Sequence, residues 1–215
     1  ITWSNVPADG TVILNVPLSG ASGLNASYDI IQWNTDAPIA ITNNPIYLVA
    51  NTGGTVTVTA RISVYTGSFS VLGGTWTNGN YLTSVVTTVD DANTKWALNG
   101  VLSLANGFKD CSNLTTVPSY MPTTVSNLTN IFLNDTLFNH DISAWNTSIV
   151  TDMSSAFENA AAFNQNIRLW QTENVGVGGY DLMFKGATAM IAVYGSVTGF
   201  GTSPDYTPTS VFFSQ

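Results

Sequence analysis

At 215 residues, the chain is long enough for one large domain or two modest ones that fold without disulfide or metal staples. Its formal charge is −8, from 13 acidic and 5 basic residues, and the basic residues are scattered. Nucleic acids and anionic membranes bind grouped Lys and Arg side chains, so we expect neither as a partner. No apolar run approaches the roughly 18 residues of a membrane span, so we also expect no membrane insertion.

The first 90 residues are predicted to form short strands separated by turns. Residues 55–65 alternate apolar and polar side chains almost without a break, and mostly Thr and Ser occupy the polar positions. This period of two is typical of an antiparallel sheet with one face exposed to solvent. We therefore predict an N-terminal antiparallel β-sandwich over residues 1–90, with further strands at 11–20, 27–33, 45–51, 67–74 and 75–81.

From about residue 82 the pattern changes, and one phrase then recurs at an interval of 25 residues. Residues 123–145 match residues 148–170 at six apolar positions, which are Val125 and Val150, Leu128 and Met153, Phe132 and Phe157, Phe138 and Phe163, Ile142 and Ile167, and Trp145 and Trp170. The frame extends upstream through Leu104, Phe108, Cys111 and Leu114. After a two-residue insertion it extends downstream through Val175, Tyr180, Phe184, Ala187 and Met190. A unit of this length cannot bury its apolar face alone, so we expect the copies to stack.

Within one copy, Val150, Met153 and Phe157 are three and four residues apart, as one face of a short helix requires. The Thr-Asp pair at 151–152 provides N-cap chemistry, and an irregular turn with a short strand follows. Phe157 is predicted to face inward and its neighbour Glu158 to be exposed. The predicted repeat core comprises Leu104, Phe108, Leu114, Leu128, Phe132, Phe138, Trp145, Met153, Phe157, Phe163, Trp170 and Phe184.

Helix, turn and short strand in each copy describe a short leucine-rich-repeat-like solenoid of ~25-residue repeats over residues 91–192. The whole fold is then mixed β and α/β. Residues 193–215 form a Gly-, Ser-, Thr- and Pro-rich tail whose end carries Phe212 and Phe213. A solenoid needs a cap over its last open face, so we favour these two side chains as that cap over contacts with a neighbouring chain.

The segment DISAWNTSIVTDMSSAFENAAAFNQNIRLW closely resembles the BspA-like leucine-rich repeat, also described as the mycoplasma-lipoprotein-type DUF285 repeat. The resemblance covers roughly residues 100–190. Departures are His140 where the family phrase has Gln, Asp135 where a small residue is usual, and the insertion at 176–179. The resemblance implies surface exposure and binding or assembly, with no catalytic residues. In phage and giant-virus structural proteins such repeats follow a β-sandwich similar to a PKD or Ig-like module, which is the order here.

His140 is the only histidine, and it lies beside Asp141 and three residues before Ser143. Neighbours in sequence rarely converge on one reacting atom, and His140 matches Gln165 in the next copy. We therefore interpret it as a polar repeat position and predict no catalytic residue and no cofactor. Cys111 occupies the small-residue position of Ala160 and Ala187, so we predict a buried thiol.

Acidic side chains can bind calcium through their carboxylate oxygens, but no regularly spaced calcium-binding loop occurs in the sequence. We interpret them as solvated turn carboxylates and predict no metal site; they are Asp90, Asp91, Asp135, Asp141 and Asp152. Asn139 and Asn164 recur at one point of successive copies. Stacked amides there can hold the corner of each copy, and a glycan-binding role is the alternative.

Two functions remain open at this stage, and a hydrolase is disfavoured because acids, bases and metal ligands do not cluster. Charged residues make up only 8% of the chain, and its polarity comes from Thr, Ser, Asn and Gly. This composition and the resemblance favour a non-enzymatic structural protein of a virus particle, in contact with copies of itself or with other virion proteins. The alternative is a cellular surface adhesin that recognises a host protein or glycan through its solenoid face. Both place the protein on a virion surface or at the cell surface.

Overall fold

The computed structural model describes residues 2–7, 13–14, 18–19, 25–33, 46–47, 55–66, 71–72, 78–85 and 101–214. Side chains are described at residues 3–6, 78–85 and 101–214. Several of the sequence predictions fall outside these ranges. They include the carboxylates Asp90 and Asp91, the boundary placed at residue 90 and the first three residues of the strand predicted at 75–81. The described end of that segment is not a strand, because Gly79–Tyr81 form a 3₁₀ turn.

Eight strands occur among the described residues, all of them within the first 84 residues of the chain. They are β1 (Thr2–Pro7), β2 (Ile13–Leu14), β3 (Leu18–Ser19), β4 (Asn25–Trp33), β5 (Ile46–Tyr47), β6 (Thr55–Thr66), β7 (Val71–Leu72) and β8 (Leu82–Ser84). Four of them form one sheet in the order β4-β6-β1-β8, while β2 pairs with β5 and β3 with β7. The strand predicted from the alternation at 55–65 is the long β6, which pairs antiparallel with both β4 and β1. The sandwich itself stays a prediction.

Strand β8 connects this sheet to the repeats. On one side it pairs antiparallel with β1, Leu82 lying opposite Trp3. On the other side Ser84 forms a parallel bridge with Thr116, and the Val85 N–H donates to the Thr116 carbonyl at 2.8 Å. Trp3 and Leu82 are fully buried in the same apolar cluster as the repeat core. The described part of the sheet and the repeats therefore share one core.

Equivalent valines divide the repeat region into four copies. Copy 1 runs from Val101 over 101–124, copy 2 from Val125 over 125–149, copy 3 from Val150 over 150–174 and copy 4 from Val175 over 175–192. Equivalent positions in the copies are called slots below. Backbone hydrogen bonds join each copy to the next, for example from the Phe132 N–H to the Ala156 carbonyl at 2.9 Å.

The short helix predicted in each copy is wrong, because the structure has a run of hydrogen-bonded turns there. In copy 2 every second N–H donates across to a backbone carbonyl of copy 3; the donors are Leu128, Asn130, Phe132 and Asn134. The N–H groups between them donate three residues back, from Ile131, Leu133 and Asp135. An α-helix needs each N–H to bond four residues back. Here about half of the N–H groups donate to carbonyls of the neighbouring copy instead, so no helix forms.

Two slots in every copy have left-handed backbone. The first holds Asn106, Asn130, Ser155 and Leu182, and the second holds Asp110, Asn134, Asn159 and Gly186, all with φ between 51° and 73°. Asn, Asp and Gly tolerate this region best. The asparagine-rich composition is therefore partly a requirement of the turn geometry.

Residues 161–170 were predicted to form an irregular turn with a short strand, and the strand is wrong. The described backbone there forms turns, and the extended pairing between copies is reduced to single parallel bridges that join Ser103 to Asn127 and Asn127 to Asp152. Asp152 does not cap a helix. Its Oδ1 accepts the Ser154 N–H at 2.9 Å and so closes a turn.

Copy 4 leads into the tail through the one α-helix among the described residues, α1 (Thr188–Tyr194). A 3₁₀ turn at Ser210–Phe213 ends the tail. Between them the chain folds back over copy 4, where the Phe184 N–H donates to the Tyr206 carbonyl and the Leu182 N–H donates to the Thr207 hydroxyl at 2.9 Å.

Candidate functional site

The predicted core side chains form parallel columns of rings through the copies. In the longest column the rings of Phe108, Phe132, Phe157 and Phe184 stack with centroids 5.6–6.0 Å apart. Phe138 and Phe163 form a second column at 5.8 Å. The aliphatic core positions Leu104, Leu114, Leu128 and Met153 are at most 1% exposed. The inward face of each copy is therefore fully used by packing.

Tryptophans form a further column near the surface. Trp145 and Trp170 lie parallel with centroids 6.4 Å apart, and each is 3% exposed. The Trp145 indole N–H donates to the Pro118 carbonyl, and that of Trp170 donates to the equivalent Ile142 carbonyl. These bonds fix the register of the slots, with Met121 in the tryptophan slot of copy 1.

The position just before the tryptophan slot points to solvent. Tyr120 in copy 1 is 48% exposed and Leu169 in copy 3 is 72% exposed, with the exposed Ala144 between them in copy 2. At this slot two large apolar side chains, in copies 1 and 3, therefore flank a small one in copy 2, and we call these three positions the exposed row. Large apolar side chains that point to solvent are available for contact with another macromolecule.

The predicted asparagine positions bond between copies. The Asn139 Oδ1 accepts the Asn164 N–H at 3.0 Å and the Gln165 side-chain amide at 2.9 Å. A longer ladder was not predicted, in which the Asn159 amide donates to Asn134 and the Asn134 amide to Asp110. The recurrence of Asn and Asp at intervals of 24 and 25 residues is the signal that could have identified it.

Hydroxyl side chains also join the copies. The Thr151 hydroxyl donates to the Ser126 carbonyl at 3.1 Å, and the Thr136 hydroxyl donates to the Ser112 carbonyl at 3.3 Å. The Thr124 hydroxyl donates to the Val101 carbonyl at 2.6 Å. Neutral polar side chains thus satisfy backbone acceptors at the edges of the stack.

His140, Asp141 and Ser143 do not form a catalytic arrangement. The His140 Nε2 lies 3.5 Å from the Ser119 hydroxyl, whereas the Asp141 carboxylate accepts the Ser143 N–H at 2.9 Å. That backbone hydrogen bond is the main reason why the pKa of Asp141 lies below its usual value. The imidazole and the carboxylate therefore have different partners, and no nucleophile lies between them.

Asp135 is not the solvated carboxylate that the sequence predicted. It is 0% exposed, and neither carboxylate oxygen has a hydrogen-bond partner among the described residues. Burial raises its pKa well above the usual value, and the Asp110 charge adds to this. The Cys111 N–H acts in the opposite direction, but it already donates to the Phe108 carbonyl at 3.0 Å. Asp135 occupies the small, inward slot of Cys111, and this position explains its burial.

Cys111 lies in the core of copy 1 as a free thiol. Burial raises the pKa of this thiol, and the charges of Asp135 and Asp110 raise it further. A thiol that stays protonated is a poor nucleophile and a poor metal ligand. Within residues 2–7, 78–85 and 101–214, no three His, Cys, Asp or Glu side chains lie close enough to share a metal ion.

Glu158 is not exposed as predicted. Its side chain is 14% exposed, and its Oε1 lies 3.0 Å from the Lys185 Nζ of copy 4. The pair occupies equivalent slots in copies 3 and 4, so the stacking itself brings the two charges together.

The predicted tail residues lie against copy 4 of the same chain. Phe212 packs edge-on against Phe184, with centroids 5.7 Å apart, and Phe213 stacks on Tyr180 at 5.6 Å. The Arg168 guanidinium lies over the Phe212 ring, 5.6 Å from its centroid. Both phenylalanines are at most 5% exposed.

A family model described as "Mycoplasma protein of unknown function, DUF285" matches residues 80–198. This match spans more than half of the chain and begins next to β8. It confirms the resemblance of the repeat segment, while the N-terminal PKD- or Ig-like module stays a prediction. No curated protein and no solved structure matches the chain. None of the described helices has the length and apolarity needed to cross a membrane.

Proposed function

This chain belongs to the DUF285 family, and from that membership we propose that it is a non-enzymatic surface protein that acts through protein–protein contacts. The family match is consistent with a surface location. The stacked copies form a short solenoid in this proposal, and the N-terminal strands form the module that precedes it. The solenoid acts as a scaffold whose outward rows meet a partner.

The exposed row at Tyr120 and Leu169 is the observation that carries this proposal. The inward slots of the copies are filled by stacked rings, so these slots offer no room for a substrate. At the outward slot, by contrast, Tyr120 and Leu169 present large side chains to solvent on either side of Ala144. A partner that covers them would bury an aromatic and an aliphatic side chain at equivalent positions of copies 1 and 3.

The finer proposal places the protein on the surface of a virus particle, in contact with copies of itself or with other virion proteins. It is supported by the neutral polar composition and by the order of strands followed by repeats. The alternative is a cellular adhesin that binds a host protein or glycan through the solenoid face. Its support is the family match together with the exposed Asn139 and Asn164.

Self-association separates these two proposals and tests the first. We expect the full chain to form oligomers in sedimentation velocity experiments as its concentration rises. Because the exposed row provides the contact, Tyr120→Ser combined with Leu169→Ser should reduce the oligomer fraction. Leu102→Ser is the matched control, since Leu102 is 53% exposed but lies in a different slot. A monomer at all concentrations that captures a host glycan or receptor would establish the alternative.

A further inference from the structure

A recess of about 430 Å³ lies where the tail meets the end of copy 3 and the start of copy 4. Its lining comprises Trp170, Thr172, Glu173, Val175, Tyr180, Ser210, Val211, Phe213 and Ser214. The volume falls within the range of small-molecule sites in proteins. This recess lies at the end of the repeats, so a ligand there goes beyond the contacts on their face proposed above.

The recess exists because the tryptophan column stops at Trp170. Trp145 is covered by Trp170 of the next copy, but no tryptophan follows Trp170 in the sequence, and among the described residues none stacks on it from copy 4. The tail residues 210–214 lie there instead and fill the space incompletely. The two-residue insertion of copy 4 lies within 176–179, between the lining residues Val175 and Tyr180. Insertions in repeat proteins often project on the binding side.

The aromatic part of the lining is held in place by its own contacts. The Trp170 indole N–H donates to the Ile142 carbonyl at 3.3 Å, and the Tyr180 hydroxyl donates to the Thr172 carbonyl at 3.2 Å. The Tyr180 and Phe213 rings stack with centroids 5.6 Å apart. Burial also raises the pKa of Tyr180, so the phenol stays neutral. Trp170 and Phe213 are at most 5% exposed, so the partly exposed Tyr180 presents the accessible part of this wall, held in a fixed position, to the C–H face of a ring.

The polar part of the lining determines which ligands fit. Glu173, Ser210 and Ser214 are exposed at the edge of the recess, where a carboxylate and two hydroxyls can bond to hydroxyl groups. The nine lining residues include no Lys, Arg or His, and the chain carries a charge of −8. An anionic ligand would therefore meet repulsion without a compensating partner. A neutral ring with C–H faces and hydroxyl edges satisfies both parts of the lining.

We propose that this recess binds a neutral saccharide ring, with its C–H face toward Tyr180 and its hydroxyls toward Glu173 and Ser210. The ligand contacts residues from two copies and the tail at once. Binding therefore requires that the tail is docked.

Saturation-transfer NMR with methyl glucoside, methyl galactoside, methyl mannoside and N-acetylglucosamine tests this site in the full chain. We expect millimolar binding of at least one sugar, and chemical-shift changes confined to the rings of Trp170, Tyr180 and Phe213 in a parallel aromatic ¹H–¹³C spectrum of the labelled chain. Glu173→Gln should weaken it roughly tenfold, because a hydrogen bond to a charged acceptor is lost. Asp205→Asn, the same charge change on an exposed tail residue outside the lining, should leave the affinity unchanged.

Two further variants make the outcome decisive. Val211→Phe narrows the recess at a half-exposed position and should abolish binding while the thermal melt is preserved. Tyr120→Ser changes the proposed protein contact and should not alter sugar binding, so the two proposals fail separately. The inference is overturned if none of the four sugars binds, or if Glu173→Gln binds as tightly as the parent chain.

Discussion

The slot that holds Asp135 in copy 2 holds Cys111, Ala160 and Ala187 in the other copies. All four are fully buried, so the slot selects for small and uncharged groups. A carboxyl there is tolerated in its neutral form, because a buried carboxylate without partners costs far more than a buried carboxylic acid. The proton is therefore part of the folded structure of copy 2.

This proton predicts a stability that falls as pH rises. The pKa of Asp135 is near 3.8 when unfolded and well above that value when folded, so the folded chain holds the proton more tightly. The contribution is fully present below pH 3.8 and is lost as the pH rises through the folded pKa. We expect the free energy of unfolding, measured with urea, to decrease as the pH rises above about 4.

Asp135→Ala introduces the residue that fills the same slot in copies 3 and 4. It should raise the free energy of unfolding at pH 8 by about 1–3 kcal/mol, the usual cost of an unsatisfied buried polar group, and flatten the pH dependence. Asp205→Ala, at an exposed position, should leave the pH dependence as it is. An unchanged slope in Asp135→Ala would show that this carboxyl does not control the pH dependence.

At the scale of elements, the ring columns carry the stability of the repeats. Phe157 contacts Phe132 in copy 2, Phe163 in its own copy and Phe184 in copy 4. We expect Phe157→Ala to lower the free energy of unfolding by ~3–5 kcal/mol, as other large-to-small core changes do. The exposed Gln171→Ala in the same copy should change it by no more than ~0.5 kcal/mol. Equal effects of the two substitutions in urea unfolding would contradict the inward orientation of Phe157.

The elements also show what the sequence periodicity predicts and what it does not. Residues spaced three and four apart, such as Val150, Met153 and Phe157, predict which side chains are buried, and all three are. The same spacing does not distinguish a helix from a run of turns, since both return the chain to one face every three to four residues. The acceptor of each backbone N–H group distinguishes a helix from a run of turns. About half of these acceptors belong to a neighbouring copy.

At the scale of the whole molecule, the tail closes the last copy. Phe200 and Phe212 pack on Phe184, the final ring of the longest column. We expect deletion of residues 204–215 to uncover this ring and to lower solubility or abolish assembly. Solubility and sedimentation of the truncated chain are the measurements, and a product as soluble, stable and assembly-competent as the full chain would refute the capping role.

A single substitution, Gly199→Ala, tests the docking of the tail without removing it. Gly199 has a φ of +85°, and a Cβ there would lie 2.5 Å from the Phe212 N. Gly199→Ala should therefore loosen the tail and increase the exposure of Phe212 to proteolysis. Gly178→Ala is the matched control, because it has a similar φ of +78° but does not contact the tail.

The amino-acid sequence by itself determined which apolar side chains form the repeat core, the interval at which the copies recur, and the resemblance to the family. These properties follow from apolar periodicity and from short phrases, which are local in sequence. The sandwich, the solenoid and the non-enzymatic role remain predictions. Only the tertiary structure decided that the copies are built from turns, that Asp135 is buried and unpaired, and that a recess remains beside Trp170. The turns depend on backbone carbonyls of the next copy, the burial of Asp135 depends on the side chains packed around it, and the recess depends on the lack of a tryptophan ring after Trp170. No single repeat contains this information.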